Sequence, residues 1–308
     1  MELINLRTYP VKDVLKILLQ DKTTKMNITF ATNSYEDIGE KYKPESFISL
    51  EALLGLDACE IQPRVAKEKD EQLIRTRKKA EVFTPSWICN KMNNICDDEW
   101  FGRTGVFNEE NDDNTWTTNT EKIEFSDDKS WKKYVDSRRL EITCGEAPYI
   151  ASRYDTTTGE IIPIADRIGI LDRKLRVVNE NALDDKEWLK WCERAFQSTY
   201  GYEYQGDNLL IARINLLNTF VDYYRNRFEK DPDVKQLRHY AHIITWNLWQ
   251  MDGLNGTVPN GLRAPEFYQM TLFDTEETEQ KMVPIPCKIF DWRENDCLLF
   301  NDLKKGGE

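Results

Sequence analysis

A chain of 308 residues with 40% hydrophobic and 11% aromatic side chains can bury a sizeable core, which excludes intrinsic disorder. Its 42 Lys and Arg against 54 Asp and Glu give a net charge of −12, the wrong sign for a protein that grips nucleic acid unaided. No apolar run reaches the roughly 20 residues that cross a bilayer, and seven scattered cysteines without a Cys-x-x-Cys pair fit free thiols in a reducing cytoplasm rather than disulfides or structural zinc.

Residues 1–75 read as a helical N-terminal region. Val11, Val14, Leu15, Ile17, Leu18 and Leu19 form an apolar stripe at helical spacing, and the charges that interrupt it are unlike a secretory signal. A second helix is predicted in SLEALLGLDACE, with Ser49 as cap and Glu51 in the first turn. The charged run AKEKDEQLIRTRKK (66–79) reads as an exposed helix, its Arg75–Lys79 cluster either solvated or in contact with phosphate. NEENDDNTWTTNTEK (108–122) reads as a solvated loop. Beyond it the grammar changes to strand, turn, helix, strand, which is that of an α/β domain with a mostly parallel sheet. RRLEIT and GYEY are strand candidates, DNLLIARINLLNTFVDYYRNRF is a helix with a broad apolar face, and HIITW and IPCKIFDW are further β-rich pieces. GILDRKLRVVNE (169–180) packs Asp172, Arg173, Lys174 and Arg176 together, either to order a loop over a ligand or to meet a partner. His239 and His242 read as surface or satisfied core residues, Trp246 and Trp249 as core aromatics, and DTEETEQ (274–280) as an acidic loop.

The sharpest chemical element is RRLEITCGEAPY, residues 138–149. A strand ends in Glu141 and a tight turn with Gly145 follows. Glycine there lets backbone amides approach a ligand, while the carboxylate accepts from a ligand ammonium or hydroxyl. By itself this arrangement is common. Cys144 has no histidine near it in sequence and reads as a packing residue rather than a nucleophile.

The wording LEITCGEAPY resembles the first cofactor motif of restriction–modification DNA adenine-N6 methyltransferases, Asp/Glu-x-x-Cys-Gly-x-Gly-x-Phe/Tyr. AEVFTPSWICNKM is similar to the segment that precedes it in that family, where Phe83, Thr84 and Pro85 would lead into a helix over the cofactor methionine. YGYEYQGDNLLIARINLL resembles the second motif, which implies that Glu203, with Tyr204 beside it, takes the ribose hydroxyls. NLWQMDGL and CKIFDW each resemble the third, leaving Asp252 and Asp291 as rivals for the cofactor adenine, with Trp292 as a stacking neighbour of the latter. The cofactor-binding set implied by the resemblance is completed by Glu141, Thr143, Cys144, Gly145 and Pro148.

The resemblance implies a class I, Rossmann-type methyltransferase sheet over residues 76–308, incomplete at its C-terminal end, with S-adenosyl-L-methionine as cofactor. Two departures stand out. Ala147 replaces the second turn glycine, where a positive φ would strain it. No Asn/Asp-Pro-Pro-Tyr/Phe tetrapeptide, which in the family holds the target amine and stacks on the extruded base, occurs anywhere. No catalytic residue is therefore assigned. The expectation is a cytoplasmic modification subunit, or the N-terminal portion of such an enzyme, inactive alone. A protein partner would supply the tetrapeptide and target recognition, DNA would be met through that complex, and no membrane is involved. Two other readings stay open: a non-catalytic binding or regulatory protein in phage defence or counter-defence, and a small-molecule or RNA methyltransferase with a different active site.

Overall fold

The computed structural model describes residues 3–67, 84–126, 130–263 and 282–305. It is a mixed α/β protein around one parallel sheet of three strands, β3 (Arg139–Glu141), β4 (Thr199–Glu203) and β5 (Leu248–Gln250), in that spatial order. The register sets Leu140 beside Tyr200 and Tyr202 beside Trp249. Parallel neighbours need helical crossovers. Here they are α5 (Ile170–Asn181) with α6 (Asp185–Gln197), then α7 (Gly206–Phe228) with α8 (Val234–Asn247).

The N-terminal region is less helical than its sequence suggests. The apolar stripe forms α1 (Val11–Leu18), and Ser49 caps α2 (Leu50–Leu54) by accepting the Ala52 N–H at 3.1 Å. The remaining described residues up to 67 are irregular, with turns, 3-10 segments and the isolated bridges Gln20–Asn27 and Thr29–Phe47. Helix α3 (Ser86–Phe101) starts directly after Thr84 and Pro85, where Asp155 from a distant loop accepts the free Ser86 N–H at 2.8 Å. Most of the charged run 66–79, the acidic piece 274–280 and Phe83 lie outside the described residues.

Two sequence expectations are corrected. The 108–122 stretch is not a plain loop. Asn108–Glu110 (β1) and Trp116–Thr118 (β2) form a hairpin, pinned where the Trp116 indole donates to the Asp166 carbonyl at 2.9 Å. HIITW is not a strand but the end of α8, whose start is fixed by a reciprocal cap between Asp233 and Gln236. A short β-branched and aromatic run does not by itself separate helix from strand; the exposed face of α8, with Lys235, Arg238, His239 and His242, lies mostly upstream of it. A small helix, α4 (Trp131–Asp136), precedes β3. The hairpin pairs β6 (Thr257–Arg263) with β7 (Val283–Pro286) and β8 (Lys288–Asp291) with β9 (Asp296–Leu299), and α9 (Phe300–Lys305) follows.

Alternation along the strands divides the interior in two. Leu248 joins a large cluster that runs from Ile4 through α1, α5, α7 and α8. Trp249 and Tyr202 join a smaller one with Met251, Val258, Cys287, Ile289 and Phe300. Helix α7 is buried almost all round, which its broad apolar composition demands. Its one buried cation, Arg213, donates to the Leu18, Gln20 and Leu248 carbonyls at 2.5–3.0 Å, closing the end of α1 and anchoring β5. No described helix is long and apolar enough to cross a membrane.

The second cluster covers β4 and β5 but not β3. Leu140 and Ile142 lie on the face that Tyr200 and Tyr202 share, yet remain 46% and 64% exposed. The outer edge of β3 has no strand partner among the described residues.

Candidate functional site

A cleft of about 1090 Å³ opens at the carboxyl ends of β3 and β4. That is where open α/β sheets receive ligands, because the strands end there and the loops that follow can diverge. It is larger than the clefts of about 620 and 770 Å³ elsewhere on the described residues.

The turn after β3 is built from left-handed residues: Thr143 (φ 48°), Gly145 (φ 54°) and Ala147 (φ 62°). Only glycine adopts this region without strain, and a β-branched threonine there is an outlier. The conformation is held from outside. The buried Glu146 carboxylate accepts the Arg64 N–H and the Tyr154 hydroxyl, both at 2.7 Å, and the Asn215 amide of α7 donates to the Glu146 carbonyl at 3.0 Å. Strain maintained by such anchoring clusters at ligand sites. The turn aims the Gly145 N–H at Glu203 across 2.9 Å, so the ends of β3 and β4 are joined by a carboxylate.

Three buried glutamates line the cleft: Glu146, already held by Arg64 and Tyr154, and the pair Glu141 and Glu203. Glu203 accepts the Gly145 and Gln205 amides at 2.9 and 3.0 Å, and burial raises its pKa. Glu141 is 9% exposed, and its Oε2 has no hydrogen-bond partner. Burial pushes this carboxyl well above the usual carboxylate range, the charge of Glu203 adds to the rise, and the amides of Tyr149 and Ile150 oppose it. Neither glutamate has a cation beside it among the described residues. A ligand bringing an ammonium or hydroxyl donors would complete both, because a buried unpaired acceptor forfeits about 1–3 kcal/mol.

Of the sequence-assigned residues, the cleft gathers Thr84, Glu141, Thr143, Cys144, Gly145, Pro148, Glu203 and Tyr204. Cys144 is there as packing: it is buried, and burial drives its thiol far above the ordinary value. Pro85, Asp252, Asp291 and Trp292 do not line the cleft. Pro85 caps α3. Asp252 closes its own turn by accepting the Leu254 N–H at 2.9 Å. Asp291 takes the Arg138 guanidinium at 2.9 and 3.0 Å, and the Trp292 indole donates to Asn247 at 2.7 Å. An Asp that follows a strand satisfies a turn as readily as a ligand, and here the turn wins.

The dense group on α5 also faces inward rather than over the cleft. Arg173 donates to Asp97, Asn90 and Asn94, Lys174 to Ser137 and Ser198, and Arg176 to Glu180 and the Asn119 carbonyl. His239 lies 3.2 Å from Glu193 and His242 3.2 Å from Lys22, so the two rings do not converge. Sequence reasoning missed the contribution of the N-terminal region. Ala31, Thr32, Asn33 and Pro44 line the cleft, and only the left-handed Ala31 (φ 48°) marks the turn that brings them there. No family model, curated protein or solved structure matches the chain.

Proposed function

We propose that this chain is the S-adenosyl-L-methionine-binding part of a restriction–modification DNA adenine-N6 methyltransferase, a modification subunit or N-terminal portion that lacks the catalytic tetrapeptide. The observation that carries the reading is the pair of buried carboxylates at the ends of adjacent parallel strands, one with a bare oxygen, beside a strained Gly145 turn. Glu141 would meet the ammonium of the methionine moiety and Glu203 the ribose hydroxyls. The amides of the 143–147 turn would hold the cofactor backbone, and Thr84, just before α3, would lie at the methionine end. When bound, the cofactor supplies an electrophilic methyl group. What the chain contributes is orientation and exclusion of water.

The open edge of β3 supports the dependence on further strands. In doubly wound sheets the first strand is central and later strands add on its far side, making the crevice a topological switch point. Leu140 and Ile142 are large apolar residues exposed where such strands would lie. The cation balance fits as well. The net charge is −12, and Arg225 and Arg227 of α7 pair with Asp231 and Asp185.

Tritiated methyl transfer to mixed-sequence DNA tests the proposal. The purified chain is expected to transfer nothing above background, and addition of the polypeptide that carries Asn/Asp-Pro-Pro-Tyr/Phe is expected to restore transfer. Clear turnover by residues 1–308 alone would place an unrecognised active site within them and overturn the split reading.

A further inference from the structure

Neither aspartate that the sequence offered for the adenine reaches the cleft, but Asn33 of the N-terminal region does, held there by a pair of latches. Gln250, at the end of β5, holds Thr29 as a strand partner would: its amide accepts the Thr29 N–H and donates to the Thr29 carbonyl, both at 2.9 Å, while also donating to the Tyr204 carbonyl at 2.8 Å. The Gly206 N–H, at the start of α7, donates to the Phe30 carbonyl at 2.9 Å, and a Cβ on Gly206 would collide with the Thr29 carbonyl oxygen. After the left-handed Ala31 the chain crosses the cleft and is fastened again, where the Tyr35 hydroxyl donates to the buried Asp207 at 2.9 Å. Segment 29–35 is thus latched at both ends, to the end of β5 and to the first turn of α7, which follows closely on Glu203.

Between the latches sits Asn33. It is exposed, it lines the cleft, and its side-chain amide makes no hydrogen bond among the described residues. We propose that Asn33 is the specificity-determining residue for the nucleobase of a ligand whose ribose rests on Glu203, and that it selects a 6-aminopurine. This rests on the reading under Proposed function. An amide presents one acceptor and two donors side by side: its oxygen accepts from the exocyclic amine and its nitrogen donates to the adjacent ring nitrogen. Two amide bonds to one base edge fix the ring plane as well as its identity, and a site built for a donor rejects an analogue that lacks it.

The experiment is calorimetric titration of the full chain with S-adenosylhomocysteine and with its analogue lacking the 6-amino group. Wild type is expected to prefer the amino compound by about tenfold or more. Asn33→Ala should lose about tenfold in affinity for it and bind both compounds alike, with an unchanged melting temperature because the side chain supports nothing else. Asp252→Asn, which lies outside the cleft, should keep the preference. The inference falls if Asn33→Ala retains both affinity and preference, or if Asp252→Asn abolishes the preference. Absence of binding of either compound to wild type would remove the cofactor reading itself, and this inference with it.

Discussion

Along α5 two buried charges have counter-charges: Arg173 meets Asp97 at 2.7 Å, and Asp172 faces Arg167 at 3.9 Å while accepting the Ser152 N–H at 2.8 Å. The third, Lys174, is enclosed by the oxygens of Ser137 and Ser198 with no open space before it. At the cleft, Glu141 and Glu203 are as deeply buried but meet only backbone amides. An unmade hydrogen bond is not the distinction, since Arg173 Nε and Asp172 Oδ1 also lack partners. The difference is the missing opposite charge together with an open space in front of the group. A paired buried ion holds elements together. A buried carboxylate facing a cleft without a cation is held in a costly state that a donor-bearing ligand would relieve.

Substitutions in the two regions should therefore differ in sign. The largest effect is expected on α5. Arg173→Met takes the 2.7 Å counter-charge from buried Asp97 and leaves it only Arg139 at 3.4 Å and the Tyr134 hydroxyl at 3.0 Å. It should destabilise the fold by about 3 kcal/mol, read as the shift in urea unfolding. A smaller loss there would mean that the Asp97 environment relaxes around the vacancy.

At the cleft, Glu141→Gln should raise the stability of the unliganded protein by on the order of 1 kcal/mol at neutral pH while reducing cofactor affinity tenfold or more. The pH dependence follows from the raised pKa. Below 4.5 the carboxyl is protonated in both folded and unfolded chains, and its favourable contribution is fully present. As pH rises through the elevated folded value, the folded chain must hold the charge and that contribution is lost. Unliganded stability should thus fall with rising pH over that interval, and Glu141→Gln should flatten the profile in pH-dependent unfolding. Cofactor affinity should rise over the same interval, because the ionised form is the one that meets an ammonium. A wild-type profile that the substitution leaves unchanged would show that another group titrates.

The smallest effect is expected in the strained turn. Ala147→Gly relieves a left-handed alanine, worth about 1–2 kcal/mol, but loses a buried methyl worth about 0.8 kcal/mol. The net gain should be below about 1 kcal/mol, measured by thermal unfolding. Destabilisation instead would mean that the methyl packing outweighs the strain.

What was legible in the sequence follows from how local each signal is. Helix α1, the Ser49 cap, the strand ending at Glu141 and the long helix after GYEY are written in short-range pattern and formed as expected. The Gly145 turn and Glu203 are far apart in sequence but are joined by strand pairing that the α/β grammar implies. Three features were beyond short-range reading. HIITW looked extended because five residues are too few to show the helical period, which emerges only with the exposed Lys235, Arg238, His239 and His242 set along one face. The α5 charges read as ordering a loop or meeting a partner because their actual partners, Asp97, Asn90 and Ser198, come from other elements. The Ala31–Asn33 wall depends on Gln250 and Gly206, more than 170 residues away, and no local pattern announces it.

The central claim, that the paired carboxylates and the strained turn form a cofactor site, is tested most directly by calorimetric titration of the purified chain with S-adenosyl-L-methionine, alongside Glu203→Ala. The account expects one site of micromolar to sub-millimolar affinity, about −8 to −5 kcal/mol, weakened by about 1–3 kcal/mol in the variant. No heat at millimolar cofactor, or binding that Glu203→Ala leaves untouched, would contradict it.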